Sequence, residues 1–225
     1  TSKSGAADVL SALGVNLDAD FPLLEKALRD AGICYMMAQR HHSAMRHVMP
    51  TRIELGVPTI FNILGPLSNP AGVKRLLVGT YLPKWVRPMA ETLGRLGAER
   101  VWVVHGSDGL DELTTTGPSH VCEYDNGNVR EFDLSPEDAG LPISDPKDLK
   151  GGDADYNAAA IRAVLAGEAS AYRDIVLFGV AAALMVAERV TDLKEGVAIA
   201  ADAISSGRAK NALDTLVAIT NEGAA

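Results

Sequence analysis

Apolar positions along this chain fall into two rhythms that alternate from start to end. Short runs rich in β-branched and aromatic residues, such as Leu76 to Thr80 and Val101-Trp102-Val103-Val104, predict buried strands. Between them, apolar residues recur at helical spacing. Val9, Leu10 and Leu13 share one face of a first helix, which Ser4 is expected to cap and Gly14 to end. Asp20 to Ala31 predicts a second helix, with Asp20 as cap, Pro22 in its first turn and Gly32 beyond it. Ile33 to Met37 has strand character, and His42 to Gly56 has helical character interrupted by Pro50.

The turn-rich segment from Asn62 to Pro70 predicts a loop. Pro83 to Leu96 predicts a helix closed by Gly97. Ser119 to Tyr124 and Val129 to Phe132, joined through Asp125-Asn126-Gly127, predict a hairpin with a type I′ turn. Gly140 to Asp155 is polar and irregular. Beyond it lie helical patterns at Asn157 to Leu165, Arg173 to Arg189 and Thr191 to Ser206, with Gly207 opening a last one. Strands alternating with helices, then a helical tail, define a mixed α/β architecture, taken as one domain over residues 1–225.

Composition narrows the class. With 225 residues, 47% of them hydrophobic, the chain can bury one large core. No apolar run reaches the roughly eighteen residues needed to span a bilayer. The formal net charge of −8 is interspersed, which argues against a nucleic-acid or anionic-membrane partner. Two well-separated cysteines, Cys34 and Cys122, each in a predicted strand, suit reduced thiols in a cytoplasmic protein and make no disulfide framework. We expect no signal peptide. The sequence opens on Thr1-Ser2-Lys3-Ser4-Gly5 without methionine and enters a helix at once, so we expect part of something longer.

The strand at Val101 empties into His105-Gly106-Ser107-Asp108-Gly109-Leu110-Asp111-Glu112. Loops at the carboxyl ends of strands are where α/β proteins place ligands. Adjacent carboxylates repel unless a cation joins them, and Mg2+ takes oxygen ligands while keeping coordination sites for water and phosphate. Asp111 and Glu112 are therefore either a metal–phosphate site or a solvated acidic loop. Ser2-Lys3-Ser4-Gly5-Ala6 offers hydroxyls, an ammonium and backbone N–H groups at a helix start, suited either to a phosphate or to ordinary capping. His42 and Arg46 share a helical face. Arg52 can clamp a carboxylate in bidentate fashion or form a surface salt bridge with an acid such as Glu54. No nucleophile triad, Rossmann fingerprint or P-loop is present.

Four stretches in series carry a resemblance: Ser2 to Leu10, His42 to Arg46, Thr59 to Pro70, and Val104 to Glu112. Together they resemble the anthranilate phosphoribosyltransferases, in order and with that family's spacing, over nearly the whole chain. The resemblance implies a large α/β domain of the nucleoside phosphorylase/phosphoribosyltransferase type, with a mixed central sheet and surrounding helices. It also implies transfer of phosphoribose from phosphoribosyl diphosphate to the amine of anthranilate, a step of tryptophan synthesis. By it, Asp111 and Glu112 hold Mg2+ on the diphosphate, Thr1, Ser2 and Ala6 face phosphoribosyl diphosphate, Arg52 faces anthranilate, and His42 lines its approach. The intact protein would be a cytoplasmic homodimer.

The family's Gly-rich diphosphate loop, its Lys-His-Gly-Asn segment and most of its small helical domain have no counterpart here. Without them we expect no turnover from this chain alone. Ala6 stands where Ser is frequent, so contact there would be through the backbone. Pro58 replaces a common Arg, and Phe178-Gly179 a Leu-Asn pair. The rival expectations are a pyrimidine nucleoside phosphorylase, whose substrate lacks a carboxylate, and a non-catalytic nucleic-acid-binding relative, which the acidic balance disfavours.

Overall fold

The computed structural model describes residues 4–37, 40, 48, 50–51, 54, 56–57 and 59–223. Contacts divide the chain into two compact units, one formed by Thr1–Thr59, Lys150–Glu168 and Ala203–Ala225, the other by Ile60–Leu149 and Ala169–Asp202.

Helices make the first unit. α1 spans Ala6–Ala12 and α2 spans Phe21–Asp30, where the Asp20 carboxylate accepts from the Leu23 N–H as expected of that cap. Gly5, rather than Ser4, occupies the N-cap of α1, and the Gly5 N–H is taken by the Asp8 carboxylate at 2.9 Å. Further along the chain, α5 covers Ala154–Leu165 and α8 covers Arg208–Thr220. α1 packs on α5 through Val9, Leu13 and Ala158, and α2 packs on α8 through Ala27, Leu216 and Ile219. Burying the valine, leucine and isoleucine side chains among these stabilises the unit by about 1.5–3 kcal/mol each.

Ile33 to Met37 forms no strand. A β-branched run becomes a strand only where a neighbouring backbone takes its N–H and C=O groups, and no described segment does so here. Cys34 is therefore a half-buried thiol outside any strand.

A four-stranded sheet organises the second unit. β1 is Arg75–Gly79, β2 Arg100–Gly106, β3 Ser119–Asp125 and β4 Asn128–Leu134, in that spatial order. β1 runs parallel to β2, while β2–β3 and β3–β4 are antiparallel, so the sheet is mixed. The predicted I′ turn is present: Asn126 and Gly127 have φ of 46° and 100°, between the paired Asp125 and Asn128.

A 3-10 turn at Pro83–Trp85 leads into α4 at Val86–Arg95, which returns the chain from β1 to β2. α4 covers one face of the sheet, where Leu76, Val101, Val103 and Cys122 meet Val86, Met89 and Leu93. Burial pushes the Cys122 thiol up to about 11, as befits an inert core cysteine. The alternate residues point to the other face, and there α6, Ala171–Val186, packs on β1 and β2. α7 follows at Leu193–Ser205. The stretch expected to be loop begins instead with a single helical turn, α3 at Phe61–Leu64, before Ser68 and Gly72 close turns on Gly65 and Asn69. Among the described residues no helix is long and apolar enough to cross a membrane.

Candidate metal–phosphate site

β2 ends at Gly106, and the chain from there to Ser119 folds back on itself. Gly106 N–H donates to the Leu110 carbonyl and Gly109 N–H to that of Gly106, both at 2.9 Å. Gly109 has φ of 91°, a conformation that suits glycine. Asp108 organises the turn. Its carboxylate accepts from the Thr114 hydroxyl at 2.6 Å, the Thr116 hydroxyl at 2.8 Å and the Leu110 N–H at 3.2 Å. Burial opposes charge on Asp108, but these donors outweigh it and hold the carboxyl below its usual range. Thr114 N–H donates to Ser119 Oγ, fixing the far end of the loop to β3.

This turn lays Asp111 directly over the end of β1. A Cβ added to Gly79 would lie 1.5 Å from the Asp111 carbonyl oxygen, so any side chain there would displace the acidic pair. The two strand ends are tied together as well: Thr80 N–H donates to the Val104 carbonyl, and His105 Nδ1 donates to the Thr80 carbonyl at 2.8 Å. The glycine that ends one strand thus sets the height of the carboxylates that follow the next.

Asp111 and Glu112 line a cavity of about 320 Å³ with Leu77, Gly79, Val104 and Leu113, closed by Ile175 and Gly179 of α6. Its walls are mainly apolar, while both acidic residues keep exposed surface. Partial desolvation, and then the charge of Asp111, raise the Glu112 carboxyl above its usual range. Among the described residues no cation pairs with either carboxylate, and no group of three side-chain ligands forms. Two uncompensated carboxylates, too few to enclose an ion, fit Mg2+: it accepts one or two protein oxygens and fills its shell with water and phosphate.

The structure brings Asp111 and Glu112 together as expected. Ala6 is the exposed first residue of α1, a helix of seven residues. With Asp8 already on the Gly5 N–H, fewer free amides remain there than the sequence suggested. Thr1, Ser2, His42 and Arg52 lie outside the described residues. Sequence reasoning missed Gly79 and Asp108. Their signals were a glycine closing an apolar strand, and an aspartate followed six and eight residues later by Thr114 and Thr116.

The loop after β2 thus sets an acidic pair beside a cavity at the carboxyl end of the parallel β1–β2 pair, and comparison with known proteins supplies the family. Residues 1–210 match the model of the glycosyl transferase family, a/b domain, and the chain belongs to that family. More narrowly, it is 60% identical to the anthranilate phosphoribosyltransferase of Rhodospirillum rubrum, over 97% of this chain and 63% of that protein. The enzyme of the same name from Parvibaculum lavamentivorans is 59% identical, over 98% and 65%. The crystal structure of anthranilate phosphoribosyltransferase from Thermus thermophilus superposes with a TM-score of 0.89 at 41% identity, over 98% of this chain and 68% of that one. The Saccharomyces cerevisiae enzyme, in complex with PRPP and Mg, gives 0.88 at 27% identity, over 97% and 63%. The resemblance carried by the four motifs is borne out. The chain spans a little under two thirds of the curated relatives it matches first.

Proposed function

We propose that this chain supplies the α/β part of an enzyme that transfers the phosphoribosyl group of phosphoribosyl diphosphate to anthranilate. The observation that carries this reading is the Asp111–Glu112 pair, without a cation among the described residues, laid over Gly79 and lining a cavity.

The leaving group is a diphosphate, so the reaction needs charge neutralisation more than an activated side chain. Mg2+ bound at Asp111 and Glu112 would supply that neutralisation as the bond from ribose C1′ to oxygen breaks. The two carboxylates hold and orient. Thr1, Ser2 and the backbone at Ala6 grip phosphoribosyl diphosphate. Arg52 pairs with the anthranilate carboxylate and His42 lines its approach. Anthranilate brings its own nucleophilic amine, which accounts for the lack of a serine or cysteine nucleophile in the motifs. The intact protein, on the same resemblance, works as a cytoplasmic homodimer.

The test is a transfer assay on this sequence carried at the length of its relatives. Magnesium-dependent formation of phosphoribosyl anthranilate is the expected result. Arg52→Ala should raise the KM for anthranilate about tenfold or more, the scale of one charge-assisted hydrogen bond, and leave that for phosphoribosyl diphosphate unchanged. An unaltered anthranilate KM would point to a substrate without a carboxylate, as in a pyrimidine nucleoside phosphorylase. The 225-residue chain alone should show no turnover.

A further inference from the structure

Three carboxylates fall within five residues of the loop after β2, Asp108, Asp111 and Glu112, and the structure uses them differently. Asp111 and Glu112 have no cation among the described residues. Asp108 is engaged from within: Oδ2 accepts from the Thr114 and Thr116 hydroxyls, and Oδ1 from the Leu110 N–H. An ionised carboxylate offers about four acceptor positions, and three of these are filled. Asp108 therefore has little left to offer an ion.

Its donors join an anchored end of the loop to an exposed one. Thr114 and Thr115 are fully buried. The Thr115 carbonyl accepts from the Ser144 N–H at 2.8 Å, and the Thr114 N–H donates to Ser119 Oγ at 2.9 Å, at the start of β3. Thr116 is set against Thr114 in turn, its N–H donating to Thr114 Oγ1 at 3.0 Å. Leu110, at the exposed tip, immediately precedes the acidic pair. Its N–H goes to Asp108 and its carbonyl takes the Gly106 N–H, so the peptide groups on both sides of it are held. Gly106 leaves room for this. A Cβ there would lie 2.7 Å from Asp108 Oδ1 and 3.1 Å from the Glu112 carbonyl oxygen.

We propose that Asp108 is a positioning residue for the Mg2+ that accompanies phosphoribosyl diphosphate, tying Leu110 to the anchored threonines so that Asp111 and Glu112 are held ready for the ion. This rests on the reading that the acidic pair takes Mg2+. Asp108 touches neither the ion nor the substrate. It acts through the Leu110 peptide. A pair held in advance gives up less chain freedom when the ion arrives, and that is how the tie raises affinity.

The test uses the sequence at the length of its relatives. Amide hydrogen exchange is measured in chelator, and calorimetry gives the Mg2+ concentration for half-maximal binding of phosphoribosyl diphosphate. In Asp108→Ala, exchange at the Leu110 N–H should accelerate without metal. The half-maximal Mg2+ concentration should rise about tenfold, the scale of one hydrogen bond to a charged group. Saturating Mg2+ should bring binding and kcat back to within about twofold of the parent. Thr116→Val, at the half-buried edge of the loop, should reproduce part of both effects and Thr116→Ser should restore them; this pair decides the matter if Asp108→Ala does not fold. Unchanged exchange at Leu110 would overturn the tie. Faster exchange with an unchanged Mg2+ requirement would overturn the positioning role. A loss that saturating Mg2+ does not restore, and that Thr116→Val does not share, would make Asp108 a ligand and end the proposal. The acidic pair's own variant separates the two readings. If Asp111→Asn with Glu112→Gln keeps the parent's Mg2+ requirement, the metal reading fails and this one with it. If that variant loses Mg2+-dependent binding while Asp108→Ala matches the parent, the positioning role alone fails.

Discussion

The second unit carries two sets of carboxylates along β2 and treats them in opposite ways. Toward the start of the strand, Glu123 of β3 faces Trp102 in register, its side chain only 3% exposed. It accepts from Trp102 Nε1 at 2.8 Å, from Arg100 Nη2 at 2.9 Å and from Arg130 Nε. Glu188 extends the cluster by pairing with Arg75 and Arg100. Burial opposes the charge on Glu123, yet its donors outweigh burial and hold the carboxyl below its usual range. Beyond the end of the same strand, Asp111 and Glu112 have no cation among the described residues, and Glu112 is pushed the other way. A charge satisfied from within secures a register. One left unsatisfied beside a cavity has affinity to offer an ion from outside.

The largest effect is expected where compensation is complete. Glu123→Ala leaves the Trp102 N–H and the Arg100 guanidinium facing a buried gap, and breaking such a pair costs about 3–5 kcal/mol. Arg100 keeps Glu188 at 3.6 Å, so the lower end of that range is expected. Urea denaturation measures it, and a loss under about 1 kcal/mol would show the cluster to be ornamental. The pH dependence follows from the direction of the shift. A carboxyl whose folded pKa is depressed stabilises the fold above its unfolded value of about 4.3, and that contribution fades as pH falls through the folded pKa.

At the uncompensated pair the expected loss is in function. Asp111→Asn combined with Glu112→Gln should abolish magnesium-dependent binding of phosphoribosyl diphosphate and lower transfer about a hundredfold or more. Stability should be kept, since no described cation loses its partner. Titration calorimetry with and without Mg2+ reads the first effect directly. Magnesium dependence equal to that of the unaltered protein would place the cation elsewhere and erase the contrast between the two ends of β2.

How much of this was legible depended on the range of the forces involved. Local signals worked: the apolar run at Val101 made β2, Asn126-Gly127 made the I′ turn, and Asp20 with Pro22 began α2. The acidic pair was also visible, because adjacency in sequence guarantees adjacency in space. Ile33 to Met37 misled because strand character without a pairing backbone produces no strand. Ser4 misled for a related reason: a hydroxyl near a helix start competes between capping and longer-range partners, and here Asn157 takes it. Gly79 was only half legible: a glycine closing an apolar strand signals a close approach, but nothing local says that the Asp111 backbone makes it. Arg52 and His42 remain assignments from the resemblance, outside the described residues.

The smallest predicted effect probes the contrast most directly. Glu112 is a carboxyl whose folded pKa is raised, so the fold binds its proton more tightly than the unfolded chain does. Its ionised form therefore strains the metal-free protein above the folded pKa, and the strain is relieved as pH falls through that value toward about 4.3. Glu112→Gln removes the charge at nearly constant shape. With Mg2+ chelated, the variant should be more stable than the parent at pH 8 by about 0.5 kcal/mol after solvent screening, and the difference should vanish in acid. Adding Mg2+ should raise the thermal midpoint of the parent more than that of the variant, because an ion bound to the folded form alone stabilises it by mass action. A variant less stable than the parent at pH 8 in chelator would mean that the protein already neutralises Glu112 from within. The pair would then belong with Glu123, as a structural cluster with nothing left to offer a cation.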